Sequence, residues 1–272
     1  MSEPLVRVEG VSFAYPGDAG EPPSTVLRDV SLTVQPGQLI ALIGQNGSGK
    51  TTLAKQLNGL LKPSAGRVLV GGTDTRAAPV GELARQVGYV FQNPDHQLFL
   101  PTVRAEVGWG PQQLGLTGEA LDERVGTTLE RFGLTVWAEH HPIMLGRGLR
   151  RLTALAAVFA MGPRVLVLDE PTGGLDRRLT AELMAILRDL TADGHAVVLI
   201  THEMTLVAEH AHRVIALRGG VIVADEPPSA LFDRADLLAE AGIEAPAVAR
   251  LARGLWPAGM PPGIATIDAF SD

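Results

Sequence analysis

Three short groups of residues have the types and spacing to act on phosphates. The first is Gly44-Gln45-Asn46-Gly47-Ser48-Gly49-Lys50-Thr51, which meets the pattern G-x-x-x-x-G-K-[ST] at every fixed position. Glycines let the backbone bend closely round a phosphate chain, so that several N–H groups point inward. A helix starting at the end of the loop turns the positive end of its dipole on the same phosphates. Lys50 has the reach for β- and γ-phosphates, and the Thr51 hydroxyl can ligate Mg²⁺. A Gly-rich turn with a chance lysine is the bland alternative. Against it stands the order of the neighbours: apolar Leu39-Ile40-Ala41-Leu42-Ile43 before, helix-compatible Thr52-Leu53-Ala54-Lys55-Gln56-Leu57 after. Thr52 joins the expected nucleotide-binding set.

The second group is Asp169-Glu170, at the end of the apolar run Val165-Leu166-Val167-Leu168. A carboxylate at the C-terminal end of a buried parallel strand sits where open α/β sheets bind ligands. After a phosphate-binding loop, an Asp there holds Mg²⁺, and a second carboxylate beside it can polarise water for attack on a γ-phosphate. The third group, Thr201-His202-Glu203, ends the run Ala196-Val197-Val198-Leu199-Ile200. His202 leaves a core strand on the same side as Asp169 and Lys50, and can contact a γ-phosphate or hold the attacking water. The other histidines, His96, His140, His141, His195, His210 and His212, read as surface or packing residues. The pairs 140/141 and 210/212 lack the carboxylate pattern of a metal site.

These groups need strands and helices to hold them. Residues 5–9 and 26–34 alternate apolar and polar and read as antiparallel strands with one wet face. Pro16-Gly17-Asp18-Ala19-Gly20-Glu21-Pro22-Pro23 between them is a loop. Pro36-Gly37 is a turn, and 67–70 and 88–91 are further short strands. A helix-rich stretch spans about 102–161, with Leu121, Val125, Leu129 and Phe132 on one face. The runs 165–168 and 196–200 do not alternate, as in parallel strands covered on both sides. The helix between them carries Leu179, Leu183, Ile186, Leu187 and Leu190 on one side, making a crossover unit. Residues 213–217 and 221–224 form a final strand pair around Gly219-Gly220. Beyond 226 lies a Pro- and Ala-rich tail with a short helix at 236–240, and no catalytic pattern from 243 onward.

With 272 residues, 46% of them hydrophobic, the chain suits one large α/β domain or a core with a small subdomain. No apolar run nears the ~20 residues that span a bilayer. Met1-Ser2-Glu3-Pro4 lacks the start of a signal peptide, so an intracellular chain is expected. Zero cysteines exclude thiol catalysis and Cys-ligated zinc. A net charge of −7 argues against a nucleic-acid partner.

Over about 4–240 the sequence resembles the ATPase subunit of an ATP-binding cassette (ABC) transporter. Residues 44–51 are similar to the family's Walker A motif and 165–170 to Walker B. Gly173-Gly174-Leu175-Asp176 resembles the D-loop, with Asp176 linking two sites across a dimer. His202 stands where the family has its switch histidine, Gln92 where it has the Q-loop glutamine, and Tyr15 where an aromatic stacks on adenine. The resemblance implies an α/β P-loop NTPase (RecA-like) core with an N-terminal antiparallel β subdomain and an inserted α-helical subdomain at about 93–161. The ATPase domain would occupy 1–240 and a C-terminal extension 241–272. It also implies ATP and Mg²⁺, with Thr51, Asp169 and Gln92 around the metal and Glu170, His202 and Gln92 serving hydrolysis. Val90-Phe91-Gln92-Asn93-Pro94-Asp95-His96-Gln97-Leu98-Phe99 resembles the energy-coupling-factor type, which takes up vitamins and transition-metal ions. The stretches 102–107 and 110–116 and Ala241-Gly242-Ile243 with Pro246 continue that likeness. Leu98-Phe99-Leu100-Pro101 reads either as an apolar partner site for a membrane subunit docking near 92–101, or as filling of the helical core.

One segment departs from the family. Where the pattern is Leu-Ser-Gly-Gly-Gln, this chain has Leu145-Gly146-Arg147-Gly148-Leu149, so only Leu145 and Gly148 match. In the family this segment caps the ATP of the opposite subunit. Losing the serine hydroxyl removes a hydrogen bond to a charged oxygen, about 1.5–3 kcal/mol. The following helix N-terminus is retained; Arg147 either supplies charge to the phosphate or holds the dimer open by its bulk. A homodimer would carry two impaired sites, so a second, different ATPase subunit is expected. The function expected is ATP hydrolysis that energises import of a small solute, on the cytoplasmic face of a membrane. The alternatives are a nucleotide-binding but weakly or non-hydrolysing regulatory subunit of a heterodimeric pair and a soluble ABC-type ATPase of DNA repair or translation. The latter usually carries coiled coils or paired cassettes, which are missing here.

Overall fold

The uninterrupted apolar runs become the middle strands of a parallel sheet. The computed structural model describes residues 3–17, 22–258 and 260–271. Met1-Ser2 at the expected intracellular start, residues 18–21 of the expected loop, and residues 259 and 272 of the expected extension lie outside the described residues. In chain order the elements begin with β1 (Val6–Tyr15), β2 (Ser24–Val34), β3 (Leu39–Ile43), α1 (Lys50–Leu57), β4 (Ala65–Val70), β5 (Thr73–Asp74), α2 (Val80–Leu83) and β6 (Val87–Val90). Then come α3 (Val103–Gln113), α4 (Gly118–Arg131), α5 (Arg147–Ala160), β7 (Val165–Asp169), α6 (Arg177–Ala192), β8 (Ala196–Ile200) and α7 (Met204–His210). The chain closes with β9 (Arg213–Arg218), β10 (Val221–Glu226), α8 (Pro228–Asp233), α9 (Ala235–Ala241), α10 (Ala247–Gly254) and α11 (Ile267–Ser271).

The strands form a four-stranded sheet, β2-β1-β4-β5, and a six-stranded sheet, β10-β9-β3-β8-β7-β6. The first is antiparallel. In the second, β9, β3, β8, β7 and β6 are parallel and β10 closes the edge antiparallel. The lack of alternation in β3, β7 and β8 has a direct cause, because both faces of each strand are buried. Ile40, Leu42, Val165, Val167, Val198 and Ile200 face one core, shared with the antiparallel sheet. Leu39, Leu166, Leu168, Val197 and Leu199 face a second core under the helical layer. Ala41 and Ile43 face a third. The register aligns Leu42 with Ile200, Ile200 with Asp169, and Leu168 with Val90. The residues that follow β3, β6, β7 and β8 therefore emerge along one edge.

The helical layer lies between β6 and β7. Val125, Leu129 and Phe132 are buried in it and Leu121 packs at its margin, as the spacing predicts. Leu183, Leu187 and Leu190 of α6 are buried in the same core. The tail is more structured than its composition suggests. Leu231 and Phe232 of α8, with Leu237 and Leu238 of α9 and Ala249 of α10, cover the outer face of β3 at Ala41 and Ile43. The sequence pattern shows only α9. The six residues of α8 and five of α11 are too few to display periodicity, α10 is amphipathic over eight residues only, and packing defines all three.

Candidate functional site

The loop between β3 and α1 is shaped by close approaches. A Cβ on Gly44 would lie 2.2 Å from the Leu217 carbonyl oxygen, so only glycine lets the loop leave the sheet there. Gly49, at φ 104, ends the loop, and Leu53 N donates to its carbonyl at 2.8 Å to start α1. Lys50 Nζ donates to the Gly44 and Gln45 carbonyls, each at 2.8 Å, which lays the side chain along the loop. Burial pulls the Lys50 ammonium below its usual range, and the Glu170 and Asp169 carboxylates pull it back up.

A cleft of about 500 Å³ opens above this loop, lined by Tyr15, Asn46, Gly47, Gly49, Lys50, Thr51, Thr52, Gln92, Asp169 and Glu170, with Val26 and Ile200. Gly44, Gln45 and Ser48 belong to the loop but not to the lining. Ser48 is buried, and Gln45 lies against the tail. A Cβ on Gly242, the αL cap of α9, would come within 1.7 Å of Gln45 Nε2. The tail therefore rests on the loop. Tyr15 is edge-on to Phe13 with ring centroids 4.9 Å apart, and its hydroxyl is 3.3 Å from Thr52 Oγ1.

Thr51 Oγ1 donates to Asp169 Oδ2 at 3.2 Å, and the Tyr89 hydroxyl donates to the same oxygen at 2.9 Å. No sequence motif singles out Tyr89. Its signal is a phenol inside an otherwise aliphatic strand, since a buried tyrosine hydroxyl needs a partner. Burial, and secondarily the Asp169 charge, push its ionisation far above the usual range, so it remains a donor. A hydroxyl beside a carboxylate is a hard oxygen set that suits Mg²⁺ completed by phosphate oxygens and water. Among the described residues no cluster of three His, Cys, Asp or Glu could hold a metal ion. An all-protein cage is thus missing, and the Thr51 and Asp169 pair fits a metal brought with a nucleotide.

Glu170 is held at both carboxylate oxygens. Gln92 Nε2 donates to Oε2 at 2.7 Å, and His202 Nδ1 stands 3.4 Å from Oε1. Its backbone is left-handed, at φ 47, which costs a residue with a Cβ about 1–2 kcal/mol. Non-glycine residues in this region cluster at functional sites. The Thr172 hydroxyl donates to Glu203 Oε1, tying the turn after β7 to the end of β8. The remaining histidines are engaged elsewhere: His212 Nδ1 accepts from Leu39 N at 2.9 Å, and His195 Nδ1 lies 2.9 Å from the Pro163 carbonyl.

The 145–149 segment does not line the cleft. Leu145 is buried, and Gly148 packs so closely that a Cβ would lie 2.4 Å from Leu179 Cδ1. Gly146 and Arg147 are exposed at the start of α5, with Arg147 lying over Gly174. Leu149 packs against the helical core. Asp176 caps α6, accepting from Leu179 N at 2.8 Å. Leu98 belongs to the helical core, whereas Phe99 is 65% exposed and edge-on to half-exposed Trp109. The buried Glu106 carboxylate accepts from the Phe99 and Leu100 amides and so fixes that exposed ring. Burial pushes the Glu106 carboxyl up, and those amides partly offset it.

A family model described as ABC transporter matches residues 27–173. The chain is similar to an energy-coupling factor transporter ATP-binding protein, EcfA, of Methanothermobacter thermautotrophicus, 37% identical over 257 residues, 94% of this chain and 81% of that protein. It is 45% identical over 218 residues to an ABC transporter ATP-binding protein of Pyrococcus furiosus, covering 80% of this chain and 82% of the relative. For one from Caldanaerobacter subterraneus subsp. tengcongensis the identity is 38% over 251 residues, 92% of this chain but 43% of the relative. The chain thus spans less than half the length of some curated relatives it matches. Among solved structures it resembles cbiO1 of Clostridium perfringens, part of the transporter complex cbiONQ. There the TM-score is 0.78 at 28% identity, covering 92% of this chain and 99% of that one. A dimeric ATP-binding cassette in a post-hydrolysis state with ADP and Pi matches with TM-score 0.74 at 27% identity, covering 82% of this chain and 99% of that one.

Proposed function

The chain belongs to the ABC transporter ATPase family, and on that premise we propose that it hydrolyses ATP to energise import of a vitamin or transition-metal ion through a membrane complex. The observation that carries this reading is Glu170, bonded to Gln92 and flanked by His202 at the lip of a cleft floored by Lys50, Thr51 and Asp169. The loop amides and Lys50 bind the phosphates. Thr51 and Asp169, with Gln92 beside them, would hold Mg²⁺, which when bound neutralises phosphate charge. Glu170 takes the proton as a water oxygen bonds to the γ-phosphorus and the bond to the β-phosphate oxygen breaks. His202 steadies the γ-phosphate. Catalysis here is positioning and charge, with little covalent work for the protein.

The import and energy-coupling reading draws support from the EcfA relative, the cbiO1 neighbour and the residues at 90–99. Exposed Phe99, edge-on to Trp109, offers the apolar surface on which a membrane subunit would dock near 92–101. No helix among the described residues is long and apolar enough to cross a membrane. We place the chain peripherally on the cytoplasmic face, with its ATPase domain at 1–240 and an extension beyond. Gly146 and Arg147 argue for a second, different ATPase subunit as partner, with Asp176 at the junction. Mg-ATPase measured on the chain alone and with the ATPase that co-purifies from membranes tests this. Little turnover alone and robust turnover together is expected; robust turnover alone would sink the heterodimer. Nucleotide trapping without turnover in the assembled complex would instead support the regulatory alternative, which the exposed Gly146-Arg147 pair favours.

A further inference from the structure

Arg151 lies one helical turn beyond Arg147 on α5, and only 3% of it is exposed. Its Nη1 donates to the Glu170 carbonyl oxygen at 2.6 Å, and its Nη2 donates to the Gln92 carbonyl oxygen at 2.7 Å. The same two residues bond to each other through their side chains. One guanidinium therefore closes a triangle with the residue that would activate water and the residue that orients it. Burying a charge is costly unless it is matched by bonds. Arg151 makes no ion pair among the described residues, and it is the one charged side chain among the buried residues of α5, beside Leu152, Thr153, Ala154 and Leu155. The planar fork of arginine suits two separate acceptors in a way lysine does not.

The backbone at Glu170 makes the contact matter. This residue sits at φ 47, with its N–H donating to the Ile200 carbonyl at 3.0 Å on one side and Arg151 on its carbonyl. The first turn of α5 carries Arg147, which lies over Gly174 in the segment that follows Glu170. A displacement of α5 would pull on the Glu170 and Gln92 carbonyls together.

We propose that Arg151 is a positioning residue for hydrolysis, tying α5 to the backbone of Glu170 and Gln92 so that movement of the helix sets the carboxylate. The inference rests on the ATP-hydrolysis reading above. The experiment compares R151K and R151Q with wild type in the assembled complex, following kcat, KM, affinity for a fluorescent ATP analogue and Tm. A carboxylate displaced by a fraction of an ångström predicts kcat lower by about 10- to 100-fold with KM and nucleotide affinity within about 3-fold. R151K keeps the charge and reaches one carbonyl, so it retains more activity than R151Q and remains informative where R151Q does not fold. In an E170Q background, R151K should cause no further loss, because the carboxylate it positions is gone. A merely structural role predicts kcat per nucleotide-binding site unchanged in folded protein, or an additive loss in the double variant, and either result overturns the inference. Absence of turnover in the wild-type complex overturns the functional reading and this inference with it.

Discussion

Glu170 bonds to Gln92 and faces His202, and Asp169 accepts from Thr51 and Tyr89, all within one chain. Gly146 and Arg147 stand exposed at the tip of α5, and Arg147 makes no hydrogen bond or ion pair among the described residues. The difference follows from what each region must satisfy. The cleft is assembled from the ends of β1, β3, β6, β7 and β8, so its side chains depend on one another. The 145–149 segment is a single stretch whose expected ligand lies on another subunit. Within it, the two positions that match the family pattern, Leu145 and Gly148, are buried against this chain's own core. Two of the three that differ, Gly146 and Arg147, face solvent. Own-chain packing thus accounts for the matching positions, and the departure falls where the fold applies little constraint.

The comparison can be broken first at Glu170. Glu170→Gln should lower kcat by about 10²–10⁴-fold while ATP affinity changes little, as expected for a lost general base. Mg-ATPase assays with nucleotide-binding titrations check this, and most activity surviving would remove Glu170 from its role. Next comes the exposed pair. Gly146→Ser with Arg147→Gly should raise turnover of the chain alone by about 10- to 100-fold, the equivalent of a regained hydrogen bond to a charged oxygen. Its own nucleotide affinity should stay put. Unchanged turnover would mean that Arg147 already does the work of the serine. The smallest effect separates packing from exposure. Gly148→Ala should cost up to about 1 kcal/mol, because the Leu179 methyl must shift while the helix gains an alanine, whereas Gly146→Ala should stay within about 0.5 kcal/mol. Urea unfolding midpoints decide, and equal costs would refute the packing account.

Much of this was legible from residue types. Gly44 and Gly49 occupy positions where a side chain would strike the Leu217 carbonyl or the Leu27 side chain, so the loop can be read from its glycines. Strands β3, β7 and β8 show their double burial as unbroken apolar runs. Tyr89 and Arg151 were not legible as site residues, although a phenol in an aliphatic strand and an arginine on an apolar helix face were available signals. Phe99 was ambiguous by sequence. Only the packing of Leu98 inward and Phe99 outward separates the two residues.

What the sequence determined by itself is the local chemistry: a glycine-rich turn that can enclose phosphate, a lysine and threonine at its end, and carboxylates and a histidine at strand ends. Such features are set by neighbours in the chain, which bond geometry and strand or helix period place without further help. Tertiary structure decided which groups meet. Tyr89 reaches Asp169 across 80 residues and Arg151 reaches Gln92 across 59. The tail comes back to Gln45 through Gly242. Those contacts depend on strand order and on the seating of α5 and α9, and sheet packing, which no local pattern encodes, sets both.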